Sequence, residues 1–345
     1  MGHTDRDMQK RIGLKDLARE LGMDVSTVSR ALRQDPRVRA ETRQSVRALA
    51  DRLGYRPNAA ARALKGGMTD RVAVLLSPPQ QRFASPIFLE LLATLDQRLR
   101  ATGKTLAVFA AQSRDEEAGI VQMIVEDGLA DGIVLGRTRA QDPRVAYLLK
   151  IGTPFVSFGR TDWPDRHPWV EIDYAAAGAL AVAALAEAGP KRLAILSAPE
   201  GLNFADNYLA GALAEAETRG LPEPQVVRCE MTEEAGEAAA RAIFDAGTDR
   251  LAVACIQDSL AFGLYRAAAA RGLTVGGDIA VIGGQNFPGS EHAAPPLSTF
   301  STEDSRVAAL LSDVMLARLD TTPEDPPETH VIAPQPLLRG SHLLP

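Results

Sequence analysis

Residues 14–22 read LKDLARELG and residues 25–32 read VSTVSRAL, and these two stretches decide the fold of the amino-terminal part of the chain. In each stretch apolar side chains recur at helical spacing, and Gly22 stands where the first helix can end. Asp24 then occupies the N-cap position of a second helix, because its carboxylate can accept a backbone N–H group of the first turn. A third amphipathic pattern, over residues 40–53, would cover these two helices. Two helices joined by so short a turn predict a helix-turn-helix.

Charge is distributed unevenly along the chain. Residues 1–65 hold fifteen Lys and Arg against eight Asp and Glu, a net charge of +7, whereas the remaining residues carry −13. A basic segment of this kind suits a polyanion, although a pair of merely solvated basic helices would have the same composition. The small and hydroxylated side chains of the second helix also suit docking in the major groove. The helix-turn-helix pattern therefore favours DNA as the partner.

These residues resemble the DNA-binding end of the lactose-repressor (LacI/GalR) family of transcription regulators. The match covers residues 14–22 and 25–30, then residues 41–43 (ETR) and residues 53–64 (LGYRPNAAARAL). The resemblance implies that the second helix enters the major groove of an operator. The predicted DNA-binding residues are Leu14, Val25, Ser26, Thr27, Ser29, Arg30, Arg33, Arg37, Thr42, Tyr55, Asn58, Ala61 and Leu64.

The resemblance also divides this set by role, because base contacts specify a sequence and phosphate contacts position the protein. It assigns base contacts to Val25, Ser26 and Arg30. It assigns mostly backbone contacts to Thr27, Ser29, Thr42, Tyr55 and Asn58. The chain departs from the family pattern by carrying arginine at positions 33, 37 and 39, where members often have small or polar residues. These arginines should strengthen phosphate binding and its dependence on salt.

Residues 58–65, NAAARALK, are good helix material, but they are too few to form a stable helix alone. In the family the matching segment is a hinge helix, which forms when two subunits pair on DNA. The resemblance implies that Leu64 is the apolar wedge that opens a base step from the minor groove. The alternative is an ordinary linker.

From Arg71 onward, short apolar runs alternate with amphipathic helical patterns in two series, which end near residues 158 and 282. Such alternation predicts βαβ units with parallel sheets, and therefore an α/β fold. The resemblance to the same family continues in this part of the chain. It is carried by residues 86–92 (PIFLELL), 131–135 (DGIVL), 272–283 (GLTVGGDIAVIG) and 295–299 (PPLST).

The predicted organisation is an all-α head followed by a doubly wound sensor domain. The resemblance implies that the sensor has two lobes like those of periplasmic binding proteins, and that the chain forms a homodimer. The predicted domains are a helix-turn-helix domain (1–57), a hinge helix with linker (58–70) and a two-lobed ligand-binding and dimerisation domain (71–345). The implied crossings of the chain between the lobes lie near residues 159–168, 284–297 and 320–328.

The cleft between the lobes is the expected effector site, because ligands of doubly wound sheets bind beyond the carboxyl ends of the strands. The predicted effector-binding residues are Phe88, Arg137, Arg160, Asp173, Asn203, Phe204, Tyr208, Gln257, Asp258 and Gln285. A structural role is an alternative for each of them. Phe88 could belong to the core, for example, and Asp258 could cap the helix that follows it.

Two of these positions indicate an uncharged effector. Tyr208 and Gln285 stand where sugar-binding relatives typically have an Arg and an Asp, which grip adjacent hydroxyls through charge-assisted hydrogen bonds. A phenol and an amide can still form hydrogen bonds, but they carry no charge. We therefore expect a regulator, in particular a repressor, of carbohydrate-utilisation genes that senses a neutral disaccharide or glycoside. An acidic sugar is the alternative because of Arg137 and Arg160.

Other classes of protein agree less well with the sequence. An enzyme on this scaffold would be expected to show a GxGxxG, GxxxxGK[ST], GxSxG or HExxH motif, and none is present. Cys229 and Cys255 fit no metal or disulfide pattern, and no cofactor is expected. A secreted solute-binding protein would lack the basic amino-terminal domain. A DNA-binding protein that senses no ligand would leave the two lobes without a function. Without a signal-like or membrane-spanning run, a cytoplasmic location is expected.

Overall fold

The computed structural model describes residues 14–32, 37–53, 68–76, 86–321 and 325–345. Over these residues the chain forms two compact units, divided between Thr69 and Asp70. The first unit has a separate apolar core. The second unit contains the cores of the two sheets.

The described part of the first unit contains three helices, namely α1 (Leu14–Glu20), α2 (Val25–Leu32) and α3 (Ala40–Arg52). Their apolar faces meet, and Val28 and Val46 are fully buried where they pack. α1 and α2 are too short to be stable in isolation, so tertiary packing supplies most of their stability. The predicted helix-turn-helix and its covering third helix are confirmed.

The second unit alternates strands and helices along the chain, as the apolar runs predict. Its strands are β1 (Arg71–Leu76), β2 (Thr105–Ala110), β3 (Gly132–Gly136), β4 (Phe155–Phe158), β5 (Trp169–Ile172), β6 (Arg192–Ser197), β7 (Gln225–Arg228), β8 (Leu251–Cys255), β9 (Ile279–Ile282), β10 (Thr299–Ser301), β11 (Thr329–Ile332) and β12 (Gln335–Leu337). Its helices are α4 (Pro86–Ala101), α5 (Glu117–Glu126), α6 (Pro143–Ile151), α7 (Tyr174–Ala186), α8 (Asn203–Thr218), α9 (Glu233–Asp245), α10 (Asp258–Ala270) and α11 (Asp304–Leu319).

Two parallel sheets define two lobes. The first sheet has the strand order β11-β5-β4-β3-β1-β2, and the second has the order β7-β6-β8-β9. β10 and β12 form a short antiparallel pair of their own. α11 packs on α4 and on β3, β4 and β5, so it belongs to the first lobe. Because the carboxyl ends of parallel strands lie at one edge of a sheet, the residues that follow the strands collect there. The predicted α/β class with two doubly wound lobes is confirmed.

The chain crosses between the lobes later than predicted. Residues 159–168 join β4 to β5, which both belong to the first sheet, so the first crossing follows β5 at Asp173. Ser298 still bridges β9 of the second sheet, so the return to the first lobe runs through β10 and not through residues 284–297. Residues 320–328 join α11 to β11 inside the first lobe, and the last crossing lies between β11 and β12. The prediction was wrong because β5 and β11 are four-residue strands that add to the first sheet without helices of their own.

α7 and α8 cross with their backbones in contact. A Cβ atom at Gly178 would collide with the carbonyl oxygen of Tyr208, and a Cβ atom at Gly211 would collide with the carbonyl oxygen of Ala175. Only glycine leaves room for this approach. The crossing therefore fixes the position of α8, which begins at the predicted effector residue Asn203.

No helix within the described ranges is long and apolar enough to cross a membrane. The His, Cys, Asp and Glu residues that the structure describes form no group of three or more that could hold a metal ion. Cys229 and Cys255 are free thiols. Burial raises the pKa of both thiols, that of Cys229 to about 11, so neither is a ready nucleophile.

Candidate functional site

Asp24 fixes the start of α2. Its carboxylate accepts a hydrogen bond from the backbone N–H of Ser26 at 2.7 Å, and its carbonyl oxygen accepts the N–H groups of Thr27 and Val28. Hydrogen bonds from the side chain and the backbone of Ser26 lower the pKa of Asp24. The predicted N-cap is confirmed, and its negative charge lies at the end of the helix where the dipole favours it.

α2 buries one face and exposes the other. Val28 and Ala31 are buried against the other two helices. Ser26 and Arg30 are exposed one turn apart, and Arg30 Nη2 lies 3.4 Å from Ser26 Oγ, to which it donates. The Arg30 guanidinium is thus held on the solvent side of the helix, where it can reach a base edge or a phosphate.

The remaining predicted DNA-binding residues are described in part. Leu14 opens α1. Arg37 is exposed, and the half-buried residues are Val25, Thr27, Ser29 and Thr42. The predicted residues that lie outside the described ranges are Arg33, Tyr55, Asn58, Ala61 and Leu64. The contacts of all these residues with DNA stay predictions.

A chain of uncharged hydrogen bonds links three turns near the carboxyl ends of strands. Ser259 Oγ donates to Gln257 Oε1 at 2.8 Å, and Gln257 Nε2 donates to Gln285 Oε1 at 2.9 Å. Gln285 Nε2 in turn donates to the Tyr174 hydroxyl at 2.8 Å, across 111 residues of sequence. Gln257 follows β8, Gln285 follows β9, and Tyr174 opens α7. We call these four residues the amide chain.

The turn that carries Gln285 has an unusual backbone. Gln285 and Asn286 adopt left-handed conformations with φ of 77° and 48°, a region in which residues other than glycine are uncommon. Arg339 Nη2 donates to Asn286 Oδ1 at 2.8 Å and helps to hold the turn. Backbone strain of this kind clusters at ligand-binding sites. The turn aims the Gln285 amide at both Gln257 and Tyr174.

Aromatic rings flank the amide chain. The rings of Tyr174 and Phe204 lie 5.2 Å apart at an angle of 53°. Tyr208 is fully buried, with its ring 6.4 Å from the ring of Phe300, and its hydroxyl has no hydrogen-bond partner among the described residues. Burial raises the pKa of Tyr208 well above its ordinary value. Tyr208 has no exposed surface in this structure. Tyr174 is also buried, with 6% of its surface exposed, but its hydroxyl accepts a hydrogen bond from Gln285.

Arg160 is paired with a carboxylate and joins the two lobes. Its Nε lies 3.1 Å from Glu171 Oε1, and its backbone N–H donates to Glu171 Oε2 at 2.9 Å. Its carbonyl oxygen accepts a hydrogen bond from Asn203 Nδ2 at 2.7 Å. The backbone N–H of Asn203 also donates to the Thr138 carbonyl at 2.9 Å. Because Asn203 opens α8 in the second lobe, these two bonds connect the second lobe to two turns of the first lobe.

Arg137 directly follows β3, with a φ of 53° and only 8% of its surface exposed. Burial and the nearby charge of Arg114 lower the pKa of Arg137 to about 10, while Glu230 and Glu117 act in the opposite direction. The guanidinium is therefore still charged at neutral pH. Arg137 is a buried cation of the first lobe, with the second-lobe Glu230 among the charges that act on it.

Three predicted effector residues make structural contacts. Phe88 is buried in α4 and lines an apolar cavity of about 10 Å³. Asp173 accepts the backbone N–H of Ala176 at 2.9 Å and caps α7. Asp258 is fully buried. Its Oδ2 accepts hydrogen bonds from the loop residues Phe287 and Ser290, and its Oδ1 accepts one from Thr299 of β10, the crossing strand through which the chain returns to the first lobe. Asp258 does not cap α10, contrary to the alternative considered for it, because the N-cap is Gln257 and makes no side-chain cap bond.

Sequence reasoning missed three residues at the site, namely Tyr174, Ser259 and Glu171. Tyr174 and Ser259 come one and two residues after positions that were singled out, so the ends of β5 and β8 were an available signal. Glu171 lies within β5, where a four-residue buried strand predicts apolar side chains. No sequence pattern indicated a carboxylate there that would pair with Arg160.

Comparison with known proteins agrees with this arrangement. The family described as "Bacterial regulatory proteins, lacI family" matches residues 13–58, and the "Periplasmic binding protein-like domain" matches residues 182–342. The HTH-type transcriptional regulator AglR of Rhizobium meliloti (strain 1021) is 32% identical over 275 residues, which cover 79% of this chain and 77% of AglR.

Solved structures show the same fold. A complex of the transcriptional regulator CelR with cellobiose has a TM-score of 0.72 and 26% identity, and the match covers 96% of this chain and 100% of that one. The lac repressor dimer bound to operator and the anti-inducer ONPF has a TM-score of 0.81 and 22% identity, over 97% of this chain and 100% of that one. With its helix-turn-helix head, its two parallel-sheet lobes and a relative as similar as AglR, the chain belongs to the lacI family of bacterial transcriptional regulators.

Proposed function

We propose that the chain is a repressor of carbohydrate-utilisation genes that binds a palindromic operator as a homodimer. A neutral disaccharide or glycoside, bound between the lobes, changes its affinity for that operator. The protein binds the saccharide without transforming it and works in the cytoplasm, where its operator is accessible. The domain boundaries at residues 57 and 70 are part of this proposal.

The observation that carries the effector class is the amide chain. Gln257, Gln285 and Tyr174 combine N–H, C=O and O–H groups, which match sugar hydroxyls as both donors and acceptors. The nearby cation Arg160 is already paired with Glu171 at 3.1 Å. Phe204 adds an aromatic face beside Tyr174, on which the apolar side of a sugar ring can stack. An uncharged saccharide therefore fits these residues better than an anion does.

Similarity supports an effector larger than one sugar unit. The CelR structure, which matches 96% of this chain, contains cellobiose. The dimer bound to operator in the lac repressor structure supports the proposed assembly, because a two-fold dimer reads two half-sites of a palindrome. An acidic sugar is the second candidate for the effector, and the buried cation Arg137 is the observation that favours it.

Isothermal titration of the full chain tests the effector class. The ligands are maltose, sucrose, trehalose, raffinose, galactose, ribose and glucuronate. We expect binding of at least one neutral oligosaccharide. Binding of glucuronate alone would favour the acidic alternative, and binding of ribose or galactose alone would contradict our interpretation of the amide chain.

The DNA-binding half of the proposal has its own test. A gel shift against random genomic fragments should select a two-fold symmetric site, and sedimentation of the protein–DNA complex should give two chains per duplex. Hinge residues 58–65, with Leu64 as the wedge, are proposed to form the minor-groove contact. A circular-permutation gel should therefore show that the selected DNA is bent.

A further inference from the structure

Two of the crossings between the lobes are bonded to the amino-terminal end of α10. Gln257 and Asp258 stand at this end, and the amide chain leads from Gln257 to Tyr174, immediately after the first crossing. After the third crossing and β12, Arg339 donates to the Leu297 carbonyl at 2.6 Å and to Asn286 Oδ1 at 2.8 Å. The second crossing is held by Asp258 itself.

Asp258 is a buried carboxylate with three donors. Its Oδ2 accepts the backbone N–H of Phe287 at 2.7 Å and the hydroxyl of Ser290 at 2.5 Å. Its Oδ1 accepts the hydroxyl of Thr299 at 2.8 Å. Asp258, Ser290 and Thr299 are all fully buried. A charged acceptor makes stronger hydrogen bonds than a neutral one, so these contacts hold firmly together.

Thr299 stands where the chain leaves the second lobe. The preceding residue, Ser298, still bridges β9 of the second sheet, whereas β10 leads within a few residues to α11 of the first lobe. The Thr299 hydroxyl also accepts the backbone N–H of Asn286 at 3.2 Å. Movement of the turn at residues 285–290 therefore reaches the crossing strand through Thr299.

The same end of α10 is bonded to the effector residues. Asp258 directly follows Gln257, and its backbone N–H donates to the carbonyl of Gly284, the residue before Gln285. A saccharide that draws Gln257 and Gln285 toward itself pulls on the backbone on both sides of this bond. The Asp258 carboxylate is then displaced together with its three donors.

We propose that Asp258 is the positioning residue through which effector occupancy alters the angle between the lobes. It joins the turn that holds Gln285 to the crossing strand at Thr299. This inference rests on the proposed function, because it requires a saccharide at the amide chain. The ligand need not touch Asp258 in order to act through it. In thermodynamic terms, Asp258 contributes to the coupling between two sites and not to the affinity of either one.

Two substitutions at Thr299 separate coupling from folding. Thr299→Val keeps the β-branched shape but removes the hydroxyl. Asp258 then loses its bond to β10 and keeps its bonds to Phe287 and Ser290, and the backbone N–H of Asn286 loses its acceptor. Thr299→Ser keeps the hydroxyl and is the matched control. Both variants are made in the full chain, and both melting temperatures are measured to show that the chain is folded.

The measurement is the factor by which saturating saccharide changes the operator dissociation constant. The saccharide is whichever of maltose, sucrose, trehalose and raffinose the wild type binds, and the DNA is the duplex that the wild type selects from a random library. We expect Thr299→Val to bind the saccharide within about threefold of wild type while its coupling factor falls at least threefold toward one, against a usual range of about 5- to 150-fold. Thr299→Ser should keep the wild-type factor.

An unchanged coupling factor in Thr299→Val would overturn the role of Asp258 and leave the proposed function intact. If the wild type binds none of these saccharides, the proposed function fails and the inference fails with it. Hydrogen exchange on the wild type gives a second test that needs no variant. The saccharide should change protection at residues 285–290 and 299–303 together, and a change confined to the first segment contradicts the inference.

Discussion

The proposed base-reading surface and the proposed effector site are built in opposite ways. On α2, Ser26 and Arg30 lie one turn apart on a single exposed face, so a few consecutive residues specify the surface. The amide chain instead joins Tyr174 to Gln285 across 111 residues. A surface on one helix depends on local periodicity, whereas a site made from several turns depends on how whole lobes pack. Substitutions on α2 should therefore change DNA binding alone. Substitutions near the amide chain should change several properties, among them saccharide affinity and stability.

The sharpest test of this difference is Arg30→Ala. The loss of a bidentate base contact should cost about 1–3 kcal/mol per half-site, so discrimination between operator and scrambled DNA should collapse. Weaker, salt-sensitive binding should persist through the other arginines. Competition binding against scrambled duplex measures the effect. Saccharide affinity should not change, because the surface is local.

The matched control is Arg47→Ala, which removes an equal charge from an exposed position on α3. It should weaken binding to operator and to scrambled DNA by the same small factor. If Arg30→Ala discriminates between the two duplexes as well as the control does, the assignment of Arg30 to base reading is wrong.

The second prediction concerns Gln285→Met, which keeps an unbranched side chain of similar volume but removes both hydrogen bonds of the side-chain amide. Gln257 and Tyr174 then each lose a partner near the site, at a cost of about 1–3 kcal/mol, or roughly 5- to 150-fold in saccharide affinity. Titration calorimetry measures the saccharide affinity. The control is Gln225→Met, at an exposed position of β7. Saccharide affinity within twofold of wild type would show that the amide chain is not the binding site.

The sequence predicted the local features well. Asp24 as N-cap, the bounds of α2 and the alternating strands all follow from short-range periodicity and capping chemistry. It predicted Tyr208 as an effector-binding residue, whereas the structure buries Tyr208 completely and bonds the hydroxyl of Tyr174 to Gln285. Which of the two tyrosines can bond to Gln285 depends on how α7 and α8 pack, and no pattern around either tyrosine encodes the close crossing of these helices. The role of Asp258 likewise depends on Thr299, which lies 41 residues away.

The two regions should also respond oppositely to pH. Hydrogen bonds to Ser26 lower the pKa of Asp24, whereas burial raises the pKa of Asp258 to about 6. A carboxyl group with a raised pKa in the folded state stabilises the fold at low pH, and this contribution is lost as the pH rises through about 6. The thiol of Cys255 and the phenol of Tyr265 act electrostatically with Asp258, but burial raises the pKa of both, so they stay protonated over this range.

Asp258→Asn tests this expectation. The asparagine amide can donate to Thr299 and accept hydrogen bonds from Phe287 and Ser290. The variant should therefore fold, but its side chain cannot titrate near pH 6. Between about pH 5 and about pH 7.5 the unfolding free energy of wild type, relative to the variant, should fall by roughly 1.4 kcal/mol. Urea unfolding followed at both pH values measures this difference. A constant difference would mean that Asp258 does not titrate in this range.

The smallest expected effect concerns the contact between the lobes at Asn203. Asn203→Ala removes the side-chain bond to the Arg160 carbonyl, which is worth about 0.5–1.5 kcal/mol. The lobes should separate more easily, which we expect to appear as faster hydrogen exchange around Arg160 and Thr138. Asn203→Asp should increase exchange further, because a carboxylate repels the carbonyl oxygen that it faces. If both variants exchange like wild type, the contact does not hold the lobes together.

The glycine crossing of α7 and α8 has a consequence for redesign of the sensor. Phe204 and Asn203 lie on α8, so any library that alters effector preference at these positions relies on a helix seated by backbone contact. Gly178 and Gly211 admit not even a methyl group without displacing that helix. A programme of directed evolution should therefore leave both glycines invariant and diversify the side chains around them, and variants that lose a glycine should lose ligand response together with their fold.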